Sequence, residues 1–242
     1  MPNAKRIFDV GPGQRSTILD ELIVPFTHPR NIITLHPFTI TSVNSTPTIQ
    51  HVGDRPAVGM AGAGAGSDGN NFMLGVAGVR PQAAKSIVWE FTVRSAGWTD
   101  HEFACGLAPV GTGITAAING GTEPTDELVV FKDTAETRFT TRARKASGTV
   151  EDKNAALMDT LTIDVWYRGQ VEVVRDASTA GKGRMDFYWG LDSLQEIPLV
   201  SRQDISTQFP DTVSMAFFIG WLAGGSVTTQ MNFGSFAYRI YR

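Results

Sequence analysis

The sequence predicts an all-β chain in which two antiparallel sheets pack face to face behind an N-terminal arm. Three observations carry this reading. From Thr34 onward, apolar and polar residues alternate in short runs. Glycine (25 residues), proline (12) and clusters of Asp, Asn and Ser separate those runs. No stretch sustains the 3.6-residue period of an amphipathic helix.

A chain of 242 residues suits one sandwich plus an extension and buries a large core without disulfides or metals. Charged residues make up 19%, below the usual quarter or so, as on a surface partly covered by partners. The net charge is −3 and the pI about 5.8, so no basic excess exists to neutralise nucleic-acid phosphates. Cys105 is the single cysteine, which excludes an intramolecular disulfide and any dependence on an oxidising compartment. No apolar run follows Met1-Pro2-Asn3-Ala4-Lys5-Arg6, so no secretory signal is expected. Met215 to Ala223, the longest apolar stretch, falls far short of the roughly 20 residues that span a bilayer. The expectation is a soluble protein made in the cytoplasm.

Residues 1–35 form the predicted arm and 36–242 the sandwich. In the arm, Gly11-Pro12-Gly13 breaks regular structure, and Ser16 to Val24 has room for two helical turns before Pro25 stops them. Phe8, Ile18, Leu22, Ile23 and Phe26 are apolar in a segment too short for its own core. They lie either on the chain's own sandwich or on a neighbouring subunit.

Strands are predicted at Ser86 to Val93, Phe103 to Leu107, Leu128 to Lys132, Arg138 to Arg144, Leu161 to Tyr167, Gln170 to Arg175, Met185 to Trp189, Met215 to Ile219 and Gln230 to Tyr241. Trp89, Phe91, Phe187 and Trp189 are expected in the core, with Cys105 as a small core residue. In the closing strand, Met231 and Phe233 share one parity and Phe236, Tyr238 and Ile240 the other. A β-bulge at Gly234-Ser235 would turn both sets inward. Gly59 to Asn71 and Ile114 to Asp126 read as surface loops.

Motifs that would announce chemistry are poorly supported. The run Gly62-Ala63-Gly64-Ala65-Gly66 lacks the Gly-Lys-Ser/Thr and following helix of a phosphate loop. Glycan cleavage needs two carboxylates roughly 5 to 9 Å apart across one cleft. Asp100 and Glu102 alone have a spacing that shares a strand face. His28, His36, His51 and His101 show no metal-ligand spacing, and Ser67-Asp68-Gly69-Asn70 lacks the ligand pattern of a calcium loop. No Gly-x-Ser-x-Gly elbow is present. No catalytic residue, cofactor or metal is expected. Arg138, Arg142 and Arg144 fall on one face of their strand, either solvated or as a docking face for an acidic partner.

The second half, from about residue 80 to 242, resembles the laminin-G-like, concanavalin A-like jelly-roll proteins found among phage structural proteins. The resemblance lies in the order of weak motifs: Trp89-Glu90-Phe91, Phe103 to Leu107, Val129 to Asp133, Asp164 to Arg168, Gly183 to Trp189, an Ile197-Pro198 turn, and Gly224-Gly225-Ser226 running into Gln230 to Ile240. Asn232-Phe233 and the Trp189-Gly190-Leu191-Asp192 turn depart from the pattern, and the Glu-x-Asp-x-Glu strand of glycanase relatives is absent. The resemblance implies a non-enzymatic structural protein of a phage particle. In that role it would decorate or cement the capsid, contacting the major capsid protein and copies of itself as a dimer or trimer. The arm residues Phe8, Ile18, Leu22 and Phe26 and the three arginines are the expected interface. The alternative is a lectin-like glycan-binding module of a tail or fibre, using exposed aromatics such as Trp98 or Trp221.

Overall fold

The structure, a computed structural model, describes residues 3–5, 18–25, 38–43, 48–52, 55–61, 69–74, 79–109, 124–134, 136–146, 148–152, 161–176, 182–210, 213–223 and 230–241. Among the described residues, sixteen strands follow one another. They are β1 (Asn3–Lys5), β2 (Ile18–Pro25), β3 (Phe38–Val43), β4 (Thr48–Val52), β5 (Arg55–Ala61), β6 (Gly69–Leu74), β7 (Ser86–Ser95) and β8 (His101–Pro109). There follow β9 (Glu127–Lys132), β10 (Thr140–Lys145), β11 (Gly148–Asp152), β12 (Tyr167–Arg175), β13 (Gly183–Leu191), β14 (Glu196–Asp204), β15 (Met215–Ala223) and β16 (Gln230–Tyr241). The helices among the described residues are two single 3-10 turns, Pro81–Ala83 and Trp98–Asp100. None is long and apolar enough to cross a membrane.

The strands make two antiparallel sheets. One runs β1-β14-β13-β12-β7-β16-β5-β4, with β2 also paired to β16; the other runs β11-β10-β9-β8-β15-β6-β3. Aromatic side chains from the facing sheets form the core. Phe91 of β7 meets Phe103 of β8 at 5.2 Å between ring centroids, and Trp89 of β7 meets Phe217 of β15 edge-on at 6.1 Å. Phe217 also stacks on Tyr238 of β16 at 4.3 Å. Such geometries add about 0.5–1.5 kcal/mol per pair beyond the area buried. Trp89, Phe91, Phe187, Trp189 and Cys105 are all buried, as alternation requires.

The closing strand carries the expected bulge. The register of β16 against β7 shifts between Phe233 and Ser235, and Met231, Phe233, Phe236, Tyr238 and Ile240 all join the core. A Cβ on Gly234 would lie 2.6 Å from Thr92 Oγ1, so the bulge requires glycine there.

Several sequence expectations need correction. Ser16 to Val24 does not supply helical turns: Ile18–Pro25 is a strand hydrogen-bonded to β16 of the same chain. Asn3–Lys5 pairs with β14, so the described parts of residues 1–35 lie on the chain's own sandwich, one of the two alternatives for the arm, and do so as sheet strands. Ile18, Leu19, Leu22, Ile23 and Val24, two of them isoleucine and one valine, favour strand once β16 offers an unpaired edge. Gly59 to Asn71 is not one loop, because its ends belong to β5 and β6. Residues 161–166 form a turn, and the strand starts at Tyr167. Ile197-Pro198 is not a turn but part of β14, paired there with Ala4 and Asn3 of β1, and the register against β13 shifts further on, between Leu199 and Ser201. Most of Ile114 to Asp126, and all of Ser67-Asp68, lie outside the described residues.

Candidate functional site

The described residues form an open cavity of about 510 Å³ where β12 ends, β13 begins and β14 ends. Register builds it. Val174 of β12 stands opposite Arg184 of β13, Arg184 opposite Asp204 of β14, and Asp186 opposite Arg202. The two-residue period of a strand puts Arg184 and Asp186 on one face and Arg202 and Asp204 beside them. Arg175, Asp176, Lys182, Gly183 and Ser206 complete the lining.

Asp186 organises this wall. It is fully buried and accepts a two-pronged hydrogen bond from Arg202, Nε to Oδ1 at 2.9 Å and Nη2 to Oδ2 at 2.8 Å. Arg184 Nε approaches the same Oδ2 at 3.1 Å. One carboxylate therefore holds two guanidiniums side by side, while 44% of the Arg184 side chain and 48% of Arg202 remain exposed. The hydrogen bond to Asp186 holds the Arg202 guanidinium above its already high range. Burial first, and then Asp186, push the carboxyl of neighbouring Glu172 and the phenol of Tyr188 upward.

The opposite rim is also fixed. Asp204 accepts from Ser206 N at 2.9 Å and from the Ser206 hydroxyl, and these bonds hold its carboxyl below the usual range. Ile205 N donates to Gly183 O at 3.0 Å, and Asp176 N to Lys182 O at 2.9 Å. A Cβ on Gly183 would meet the Phe209 ring at 2.6 Å, so glycine lets Phe209 pack directly under the cavity floor.

The sequence-predicted interface residues lie elsewhere. Phe8 and Phe26 are outside the described residues. Ile18 and Leu22 sit in β2, opposite Tyr241 and Tyr238. Arg138 is exposed just before β10. Arg142 and Arg144 share a face, as alternation predicts, but both are buried and do not form an exposed docking face. Arg142 pairs with Glu127 at 2.6 Å and Glu151 at 3.4 Å, with its guanidinium 4.2 Å from the Phe131 ring centre. Its acidic partners come from its own chain, because β9 and β11 bring those carboxylates alongside β10. Trp98 and Trp221 are core residues, not exposed platforms. Glu102 is buried and accepts from Thr134 Oγ1 at 3.0 Å.

The cavity residues carry a sequence signal, although Arg184 precedes the predicted strand Met185 to Trp189 and Arg202-x-Asp204 lies outside every predicted strand. Arg184-x-Asp186 and Arg202-x-Asp204 each place unlike charges on one strand face. Their convergence depends on pairing β13 with β14, and Pro198 disguised that strand.

No protein-family model matches this sequence, and no curated protein matches it. Solved structures do. The winged bean acidic lectin, solved with methyl-alpha-D-galactose, superposes with a TM-score of 0.57 at 7% identity, covering 92% of this chain and 99% of the lectin. A PL-14 alginate lyase from Aplysia kurodai gives 0.61 at 12%, covering 92% and 98%. The CBM2 module of the evolved Dit of Lactobacillus casei BL23 phage J-1 gives 0.50 at 12%, covering 93% and 99%. At these identities the likeness is one of fold. The chain has a concanavalin A-like jelly-roll sandwich fold.

Proposed function

We propose that this chain is a non-enzymatic carbohydrate-binding module. The observation that carries the reading is the cavity wall on which buried Asp186 presents Arg184 and Arg202 beside Lys182, Asp204 and Ser206. Sugars are recognised by a few convergent donors and acceptors held at fixed spacing in a concave site, and this wall supplies both kinds. A lectin solved with a galactoside bound has the same fold, which supports the reading without assigning the site.

The cavity's chemistry favours binding over cleavage. A general acid needs a carboxyl that keeps its proton, whereas the bonds from Ser206 hold the lining carboxylate Asp204 below the usual range. The test is a glycan array probed with the intact chain. Selective binding of one saccharide class supports the reading; uniform absence of binding overturns it.

A second reading places the chain on a phage particle as a decoration or cement subunit. One observation favours it. The exposed large hydrophobics among the described residues are Ile163, Leu191 and Leu194. Ile163 lies in the turn before β12, Leu191 ends β13 and Leu194 follows it, and Asp192 N donates to Trp166 O at 3.0 Å between the two segments. An apolar patch of this kind suits a subunit contact, with copies of this chain or with the major capsid protein. Phe8, Ile18, Leu22, Phe26 and Arg138 are the further contacts proposed for that assembly. Copurification with intact particles at fixed stoichiometry tests it.

A further inference from the structure

Resting on the carbohydrate-binding reading, we infer that the cavity selects an acidic saccharide, with Arg184 and Arg202 jointly taking the carboxylate of a uronic acid residue. A guanidinium carries five N–H donors in a planar fork. Arg202 spends Nε and one Nη2 hydrogen on Asp186, and Arg184 Nε lies 3.1 Å from the same carboxylate as an ion pair. Both side chains stay close to half exposed, which leaves donors of each fork within reach of a ligand.

Two like charges held this close repel, and Asp186 offsets one of them. An anion arriving on the outer side offsets the other and receives charge-assisted bonds. The remaining lining strengthens the bias. Lys182 makes no ion pair among the described residues and faces the same space. Arg175 is anchored through Nη1 to the carbonyl of Gln82. Of the two carboxylates in the lining, Asp204 is already bonded to Ser206. Four cations meet two carboxylates in the lining and Asp186 behind it, which leaves one cation in excess inside a chain whose net charge is −3.

A carboxylate on a sugar fits better than a free anion, because the cavity of about 510 Å³ has room for a ring behind the acid group. Val174 offers an apolar contact there, and Ser206 and Asp204 offer partners for hydroxyls.

The test is calorimetric titration of the intact chain with trigalacturonate, maltotriose and inorganic sulfate. Trigalacturonate should bind, maltotriose should not, and sulfate should compete only weakly. Arg184→Lys and Arg202→Lys keep the charge but lose the planar fork, and each should weaken trigalacturonate by about tenfold. Lys182→Ala, on the other wall, should weaken it less without touching the Asp186 cluster. Maltotriose binding as tightly as trigalacturonate would overturn the acidic preference while leaving the carbohydrate reading standing. Tight sulfate binding with no gain from the sugar would overturn the saccharide assignment. Binding by neither sugar overturns the inference, and the glycan array then decides the broader reading separately.

Discussion

Arg202 and Asp186 face each other across neighbouring strands, joined by two hydrogen bonds of 2.9 and 2.8 Å, with the carboxylate wholly buried and the guanidinium half exposed. The pair fixes a cation at the rim of a cavity and leaves part of its fork unspent. Removing the carboxylate's charge should therefore affect both the fold and the site. Asp186→Asn leaves Arg184 and Arg202 to repel each other without their shared partner. The melting temperature should fall by about 2–4 °C or more, and acidic-sugar binding should weaken. A melt followed by circular dichroism, run beside the titration, checks both effects.

Gly183→Ala should disturb the same site from below. The added methyl meets the buried Phe209 ring at 2.6 Å, and overpacking of this kind costs about 1–3 kcal/mol. Urea unfolding should show a lower midpoint with an unchanged slope. An unaltered midpoint would mean that Phe209 moves aside at no cost.

The pH dependence of stability has an identifiable source at the other end of the sandwich. His101 is fully buried, and its ring lies 5.3 Å from that of Trp221. Burial above all, with Lys132 adding to it against Asp100, lowers its pKa to about 4. Between pH 4 and 6.5 the unfolded chain binds a proton that the folded chain refuses, so stability falls as pH falls through that window. The loss between pH 7 and 4.5 should be about 2 kcal/mol. His101→Gln should lose less over the same interval, and equal losses in the two proteins would contradict the assignment.

Much of this architecture was legible in the sequence. Alternation exposed β7, β8, β9 and β16, and the parity switch at Gly234 exposed the bulge, because each depends on residues close together in the chain. What was not legible depended on distant pairing. Ser16 to Val24 reads as two helical turns, and Ile18–Pro25 becomes strand only because the edge of β16 is available to it. Arg142 looks like a surface cation until Glu127 and Glu151 arrive from flanking strands. Trp98 and Trp221 look like platforms until the core closes over them.

That distant pairing also changes what truncation should do. Because β2 covers the edge of β16 from Ser235 to Tyr241, deleting residues 2–30 should uncover a row of backbone donors and acceptors. The truncated protein is expected to melt earlier and to associate through the exposed edge, which calorimetry and size-exclusion chromatography would detect. A truncated chain with an unchanged melting temperature would show that β2 adds nothing to the sheet.

The most direct test of the carbohydrate-binding claim is to locate the ligand by amide chemical-shift mapping with the best saccharide from the array. The account predicts shifts concentrated at residues 174–176, 182–186 and 202–206, and their loss in Arg202→Lys. Shifts confined to the segments carrying Ile163, Leu191 and Leu194, or no saturable shift with any saccharide, would contradict it.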